Sequence, residues 1–171
     1  MALNSLESER KQLGLFGELV YLDLSGAKTD PAAGRGEQPE PPDDEATVIK
    51  SLTAMRAFMT SYTQGRILLG GKRNGFAGDM PGILEEAVMA MEAKQPIYLA
   101  GGFGGMTWDI ANALGLVDQN YLPSLATAPK PDPRALAGLG RLMEVAKGNN
   151  FASLVNGLSD DENRQLAASY R

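Results

Sequence analysis

Neither cysteine nor histidine occurs anywhere in the 171-residue chain. Disulfides, Cys/His zinc sites, thiol nucleophiles and every His-based triad are thereby excluded. Acid–base chemistry, if present, must rest on Asp, Glu, Lys, Tyr or water. No apolar run approaches the ~18 residues that would suggest a membrane-spanning helix. Lysine- and arginine-rich blocks are also missing, and the net charge is −5. The electrostatic footprint of duplex nucleic acid or of an anionic membrane is therefore absent, although a local basic cluster can still serve a small anion. The opening MALNSLESERKQ lacks the basic head and apolar core of a signal peptide, and a cytoplasmic location is expected.

What is present suits a globular protein. Hydrophobic residues make up 43% of the chain, enough for a core, and 20 Gly with 10 Pro imply many loops. Residues 4–13 read as a weakly amphipathic helix start, with Asn4 as cap and Glu7 three residues on. Leu13–Gly26 is densely apolar and is read as helix passing into a short extended piece, with a buried strand around Glu18–Leu24 as the alternative. From Ala27 to Asp44 the chain is rich in Pro, Gly and acids and predicts a flexible loop. We therefore expect an N-terminal segment with an acidic linker over 1–43 and a ligand-binding domain over 44–171.

A helix is predicted over 44–63, where Val48, Leu52, Met55, Met59 and Tyr62 recur at helical spacing behind the acids Asp43, Asp44 and Glu45. Such a stripe, methionines included, reads as core. Next comes RILLGGKRNGFAGDMPGILEEAVMAMEAKQPIYLAGGFGG, from Arg66 to Gly105. It reads as strand, glycine loop, helix, strand, glycine loop. The unbroken apolar ILL is what a parallel strand covered on both faces would show. The predicted strands are 66–71 and 96–100, and the predicted helices 81–94 and 106–114, the last stopped by Gly115. The fold class that follows is α/β, a Rossmann-like three-layer domain with a parallel central sheet and a ligand at the carboxyl ends of its strands. Farther on, Asp132 and Pro133 open a helix over 133–147 with the stripe Leu136, Leu139, Met143 and Ala146. Shorter helical pieces are predicted over 150–158 and from Ser159 to the end.

Candidate site residues concentrate in the two glycine loops. Gly101, Gly102, Phe103, Gly104 and Gly105 lie between a strand and a helix, where glycine lets backbone amides approach an anion. A tight turn requiring positive φ explains the same residues without a ligand. Gly70, Gly71, Lys72, Arg73 and Gly78 form the preceding loop, which should emerge on the same sheet edge. Arg73 would bind two phosphate oxygens and Lys72 would add a point charge, or both side chains lie in solvent. Glu85 and Glu86 begin the following helix. One could face the pocket, to hold ribose hydroxyls or to act as acid–base at a glycosidic carbon, or they simply complement the helix dipole. Asp79 reads as a cap, Asp109 as a weaker candidate, and Trp108 as core or as a wall on which a base stacks. Metal ligands are not expected.

In combination, GGKRNGFAGDMPGILEEA, PIYLAGGFGG and the ending NGLSDDENRQLAASYR resemble the SLOG superfamily, named from the Smf/DprA and LOG proteins, over roughly residues 44–171. The resemblance implies a Rossmann-like domain that binds a nucleotide-derived ligand, with no cofactor required. It points to the branches found with bacterial conflict systems, such as the SLOG domain of Thoeris effectors. There a cyclic ADP-ribose isomer made by a TIR enzyme switches an attached effector through its oligomer. A homo-oligomer and a fused or associated TIR or other effector domain are accordingly expected partners, and no catalytic residue is. The LOG branch implies the alternative, a nucleotide N-glycosidase using Glu85 or Glu86. Of that branch's PGGxGTxxE signature, MPGILEE keeps the Pro-Gly and the acids.

Overall fold

A computed structural model describes residues 20–29, 44–117 and 130–149. The chain divides into two compact units, Met1–Phe58 and Met59–Arg171. Expectations for residues 1–19, 30–43, 118–129 and 150–171, including the first and the last two predicted helices, lie outside the described residues.

In the first unit, β1 (Tyr21–Leu22) pairs antiparallel with β2 (Lys28–Thr29). Lys28 and Thr29, read from composition as loop, are thus strand. Asp23 closes the hairpin, its Oδ1 accepting from the amides of Ser25 (2.8 Å) and Ala27 (3.0 Å) and from the Ser25 hydroxyl (2.6 Å). This local bonding is how a short polar side chain makes a turn, and composition does not reveal the pairing that results. The helix α1 (Glu45–Tyr62) is where its periodicity placed it, capped by Asp44 through the Thr47 amide at 2.7 Å. Its stripe is not the core that was expected. None of its residues is fully buried.

The second unit is a β–α–β–α succession followed by a further helix. β3 (Arg66–Leu69) leads through a loop to α2 (Gly82–Glu92), β4 (Ile97–Ala100), a 3-10 turn at Gly101–Phe103 and α3 (Gly105–Ala113). The last described element is α4 (Pro133–Gly148). β3 and β4 are parallel neighbours, with Arg66 opposite Ile97 and Leu69 opposite Ala100. The fold is mixed α/β. Among the described residues each sheet has two strands, so the expected central sheet is represented by one parallel pair.

Leu68, Leu84, Val88, Met106, Ile110 and Leu142 form the heart of the core. Each large side chain so buried is worth about 1.5–3 kcal/mol. β3 alternates: Arg66 and Leu68 are buried, whereas Ile67 (77%) and Leu69 (54%) are exposed. The apolar run ILL had suggested burial on both faces. A period of two sends its side chains to opposite faces, and only one face meets the core.

The α4 stripe is also corrected. The buried residues are Ala135, Gly138, Leu142 and Ala146, while Leu136 and Met143 are exposed. The reason is close approach: a Cβ at Gly138 would stand 2.7 Å from Leu84 Cδ2. Ala146 is buried and Leu139 packs partly against the core, as expected, whereas Leu136 and Met143 miss the contact, which the small Gly138 makes.

Asp132 caps α4, accepting from the Arg134 amide at 2.9 Å and from its guanidinium at 2.9 Å on Oδ2. The Arg134 side chain first, and then its amide, hold the Asp132 carboxyl below the usual carboxylate value. A depressed folded-state value means that this stability is present above the ordinary carboxylate range (~3.9) and is lost as pH falls through the lowered value. Asp23 and Asp44 are shifted the same way. The thermal midpoint of Asp132→Asn is therefore expected to fall less steeply on acidification than that of wild type; equal slopes would remove the cap from the acid response.

Candidate functional site

The two glycine loops leave neighbouring parallel strands and stand side by side at their carboxyl ends. Gly70 and Gly71 (φ +64° and +93°) follow β3; Gly104 and Gly105 (φ +75° and +68°) follow β4. All four adopt the left-handed backbone that glycine accepts without penalty.

The loops are joined backbone to backbone. The Met106 amide donates to the Gly71 carbonyl at 3.0 Å and the Thr107 amide to the Gly70 carbonyl at 2.8 Å. These amides open α3, where a helix has orphan donors. Carbonyls of the first loop therefore occupy positions that a bare helix end would offer to an anion. By contrast, α2 has Pro81 as its cap residue and no side-chain cap bond. Its positive end, at Gly82–Leu84, borders the first loop without a capping side chain, and Asp79 does not cap it.

Arg73 and Asp109 tie the first loop to α3. The Arg73 Nε donates to Asp109 Oδ2 at 2.6 Å and its Nη2 to Oδ1 at 3.0 Å, with the two side chains 20% and 8% exposed. Such a fork-on-carboxylate pair fixes geometry as well as charge. A third attachment comes from α4. The Asp132 amide donates to the Arg73 carbonyl at 3.2 Å, and Arg134 donates to the Gly78 carbonyl at 2.7 Å while lying 4.5 Å over the Phe76 ring. The loop is thus held from two helices.

The other candidate residues separate. Lys72 is exposed at the loop tip, and Phe103 is 79% exposed beside the second loop. Glu85 is half-buried in the first turn of α2. Glu86 is bound to buried Arg66 at 2.8 Å, and Arg66 also donates to the Thr60 hydroxyl at 2.7 Å. The structure thus brings Gly70–Arg73 and Gly104–Gly105 together and directs Glu86 to the base of β3. The Arg73–Asp109 pair was not read from sequence. Its only signal was position, since Arg73 lies in the loop after β3 and Asp109 early in the helix that follows the adjacent strand β4.

A cavity of about 620 Å³ adjoins the second loop. It is lined by Ile97, Tyr98 and Leu99 of β4, by Gly101 and Gly102, by Trp108 and Ala111 of α3, and by Leu116 and Val117 beyond it. The Trp108 indole Nε1 is buried without a hydrogen-bond partner. Among the described residues, no group of three or more acidic side chains is placed to hold a metal ion, and no helix is long and apolar enough to cross a membrane.

A parallel β–α–β unit with paired glycine loops at its carboxyl edge defines a mixed α/β domain of the kind that places small ligands at strand ends. A family model described as SLOG cluster2 matches residues 1–166, and the chain belongs to that family. The match takes in residues 1–43, beyond the span on which the motif resemblance rested. Membership links the chain to nucleotide-related function. No curated protein and no solved structure is significantly similar to it.

Proposed function

We propose that this chain is a sensor domain that binds a nucleotide-derived signal of the ADP-ribose or cyclic ADP-ribose type. It acts in the cytoplasm in a bacterial conflict or antiviral defence system, where it controls an effector, such as a TIR domain, through a homo-oligomer and without a further cofactor. In this reading the domain is Rossmann-like and three-layered, the described parallel pair being part of its central sheet. The observation that carries the proposal is the pair of glycine loops, side by side at the carboxyl edge, in a SLOG chain. Lys72, the positive end of α2 and the backbone of Gly70–Gly71 and Gly101–Gly105 offer complementarity to phosphates, and Glu85, in the first turn of α2, is our candidate for the ribose hydroxyls. The alternative, hydrolysis of an N-glycosidic bond, falls to Glu85, because Glu86 is engaged by Arg66.

Thermal shift with AMP, NAD, ADP-ribose and cyclic ADP-ribose tests the proposal. A bound compound at a hundred times its Kd should add about 2.7 kcal/mol of stability. Lys72→Ala, at an exposed position, is expected to weaken that compound about tenfold, or ~1.4 kcal/mol, without lowering the melting temperature of the free chain. No shift with any of the four would overturn the binding reading, and release of free base would convert the sensor into an enzyme.

A further inference from the structure

We propose that the cavity beside β4 is the subsite for the base of the nucleotide, a planar heteroaromatic ring read by the edge of that strand turned away from β3. This rests on the nucleotide-binding reading and extends it to a part of the ligand that the glycine loops do not address.

The register places the edge. Arg66 donates its amide to the Pro96 carbonyl at 3.0 Å and sits opposite Ile97. In a parallel ladder the residues flanking the opposed one make the bonds, so Pro96 and Tyr98 face β3. The amide and carbonyl groups of Ile97 and Leu99 therefore face the opposite edge, which pairs with no strand among the described residues. The cavity is lined by Ile97, Tyr98 and Leu99 together, although alternate side chains of a strand lie on opposite faces. A space touched by all three runs along the edge and not across one face.

Its chemistry suits a nucleobase. One edge supplies backbone donors and acceptors side by side, the match for a ring that carries a donor next to an acceptor. The facing wall is largely apolar, with Ala111, Leu116 and Trp108, and suits the faces of a flat ring. The volume, about 620 Å³, lies within the range of small-molecule sites. Gly101 and Gly102 line the end of the cavity at the carboxyl end of β4, which joins the base subsite to the glycine loops where the phosphates would lie.

The single tryptophan of the chain, Trp108, makes the test direct. The full chain is titrated with AMP, NAD and ADP-ribose, and separately with ribose 5-phosphate, while melting temperature and tryptophan emission are both followed. The nucleotides are expected to raise the melting temperature and change the emission, and ribose 5-phosphate to raise the melting temperature alone. Leu116→Glu, at a position 42% exposed and so tolerant of charge, should weaken the nucleotides about tenfold or more and leave ribose 5-phosphate unaffected. Nucleotides that stabilise the chain with unchanged emission and equal affinity for Leu116→Glu would place the base elsewhere and overturn this inference, leaving the nucleotide reading intact. No stabilisation by any nucleotide would overturn both.

Discussion

Gly105→Ala is expected to destabilise the second unit by about 3–5 kcal/mol and to lower its melting temperature by roughly 10 °C or more. The new Cβ would stand 2.6 Å from the Gly71 carbonyl oxygen and 2.7 Å and 2.8 Å from the Gly70 carbonyl carbon and oxygen. Backbone atoms cannot turn aside as the tip of a side chain can. The residue also has φ +68°, a conformation that costs alanine of order 1–2 kcal/mol by itself. Relieving the overlap means parting the loops and losing the amide-to-carbonyl bonds from Met106 and Thr107, at about 0.5–1.5 kcal/mol each. Gly102→Ala is the control. Nothing lies within 4 Å of a Cβ there, and its cost should stay within ~0.5 kcal/mol. Equal melting curves for the two variants would show that the loops are not held by close approach.

Asp109→Ala is expected to cost about 2–4 kcal/mol, because it leaves the largely buried Arg73 guanidinium without its carboxylate. The upper part of the 3–5 kcal/mol seen for fully buried pairs is not expected, since Arg73 keeps some solvent contact and is also attached through its backbone carbonyl to Asp132. Arg73→Ala should be at least as damaging as Asp109→Ala, since it leaves the Asp109 carboxylate, the more buried end of the pair, without its cation. A double-mutant cycle, read by denaturant unfolding, should return a coupling of about 1–3 kcal/mol. Additivity of the two single effects would mean that the pair does not hold the loop to α3. The cycle also bears on ligand binding. If Arg73 meets phosphate, added inorganic phosphate should restore part of the stability lost in Asp109→Ala and none of that lost in Arg73→Ala.

Much of the scaffold was legible from local pattern. The α1, α2, α3 and α4 helices and both parallel strands lie within a few residues of where periodicity and caps placed them. Asp132 with Pro133 and the stop at Gly115 are backbone signals that act within a turn of where they sit. The misreadings share one cause. On α4 size alone points to Leu136 and Met143, whereas Gly138 makes the contact because Leu84 needs the room. Arg66–Leu69 was read as covered on both faces from hydrophobicity, whereas coverage depends on which elements arrive from elsewhere in the chain. The short β1–β2 pairing was hidden because four residues of strand leave no compositional trace.

The site divides in the same way. The glycine pairs, Lys72 and the Pro-Gly entry to α2 are features of sequence, because positive φ and a missing amide hydrogen belong to the residue type itself. By themselves they determined that two loops with special backbone follow two strands, and that Cys, His and thiol chemistry have no place here. Only the tertiary structure decided that the loops press against each other, that carbonyls of Gly70 and Gly71 take the first amides of α3, that Arg73 grips Asp109 across 36 residues, and that Glu86 serves Arg66. Partners so far apart in sequence are chosen by which surfaces fold into contact, and no local periodicity encodes that choice.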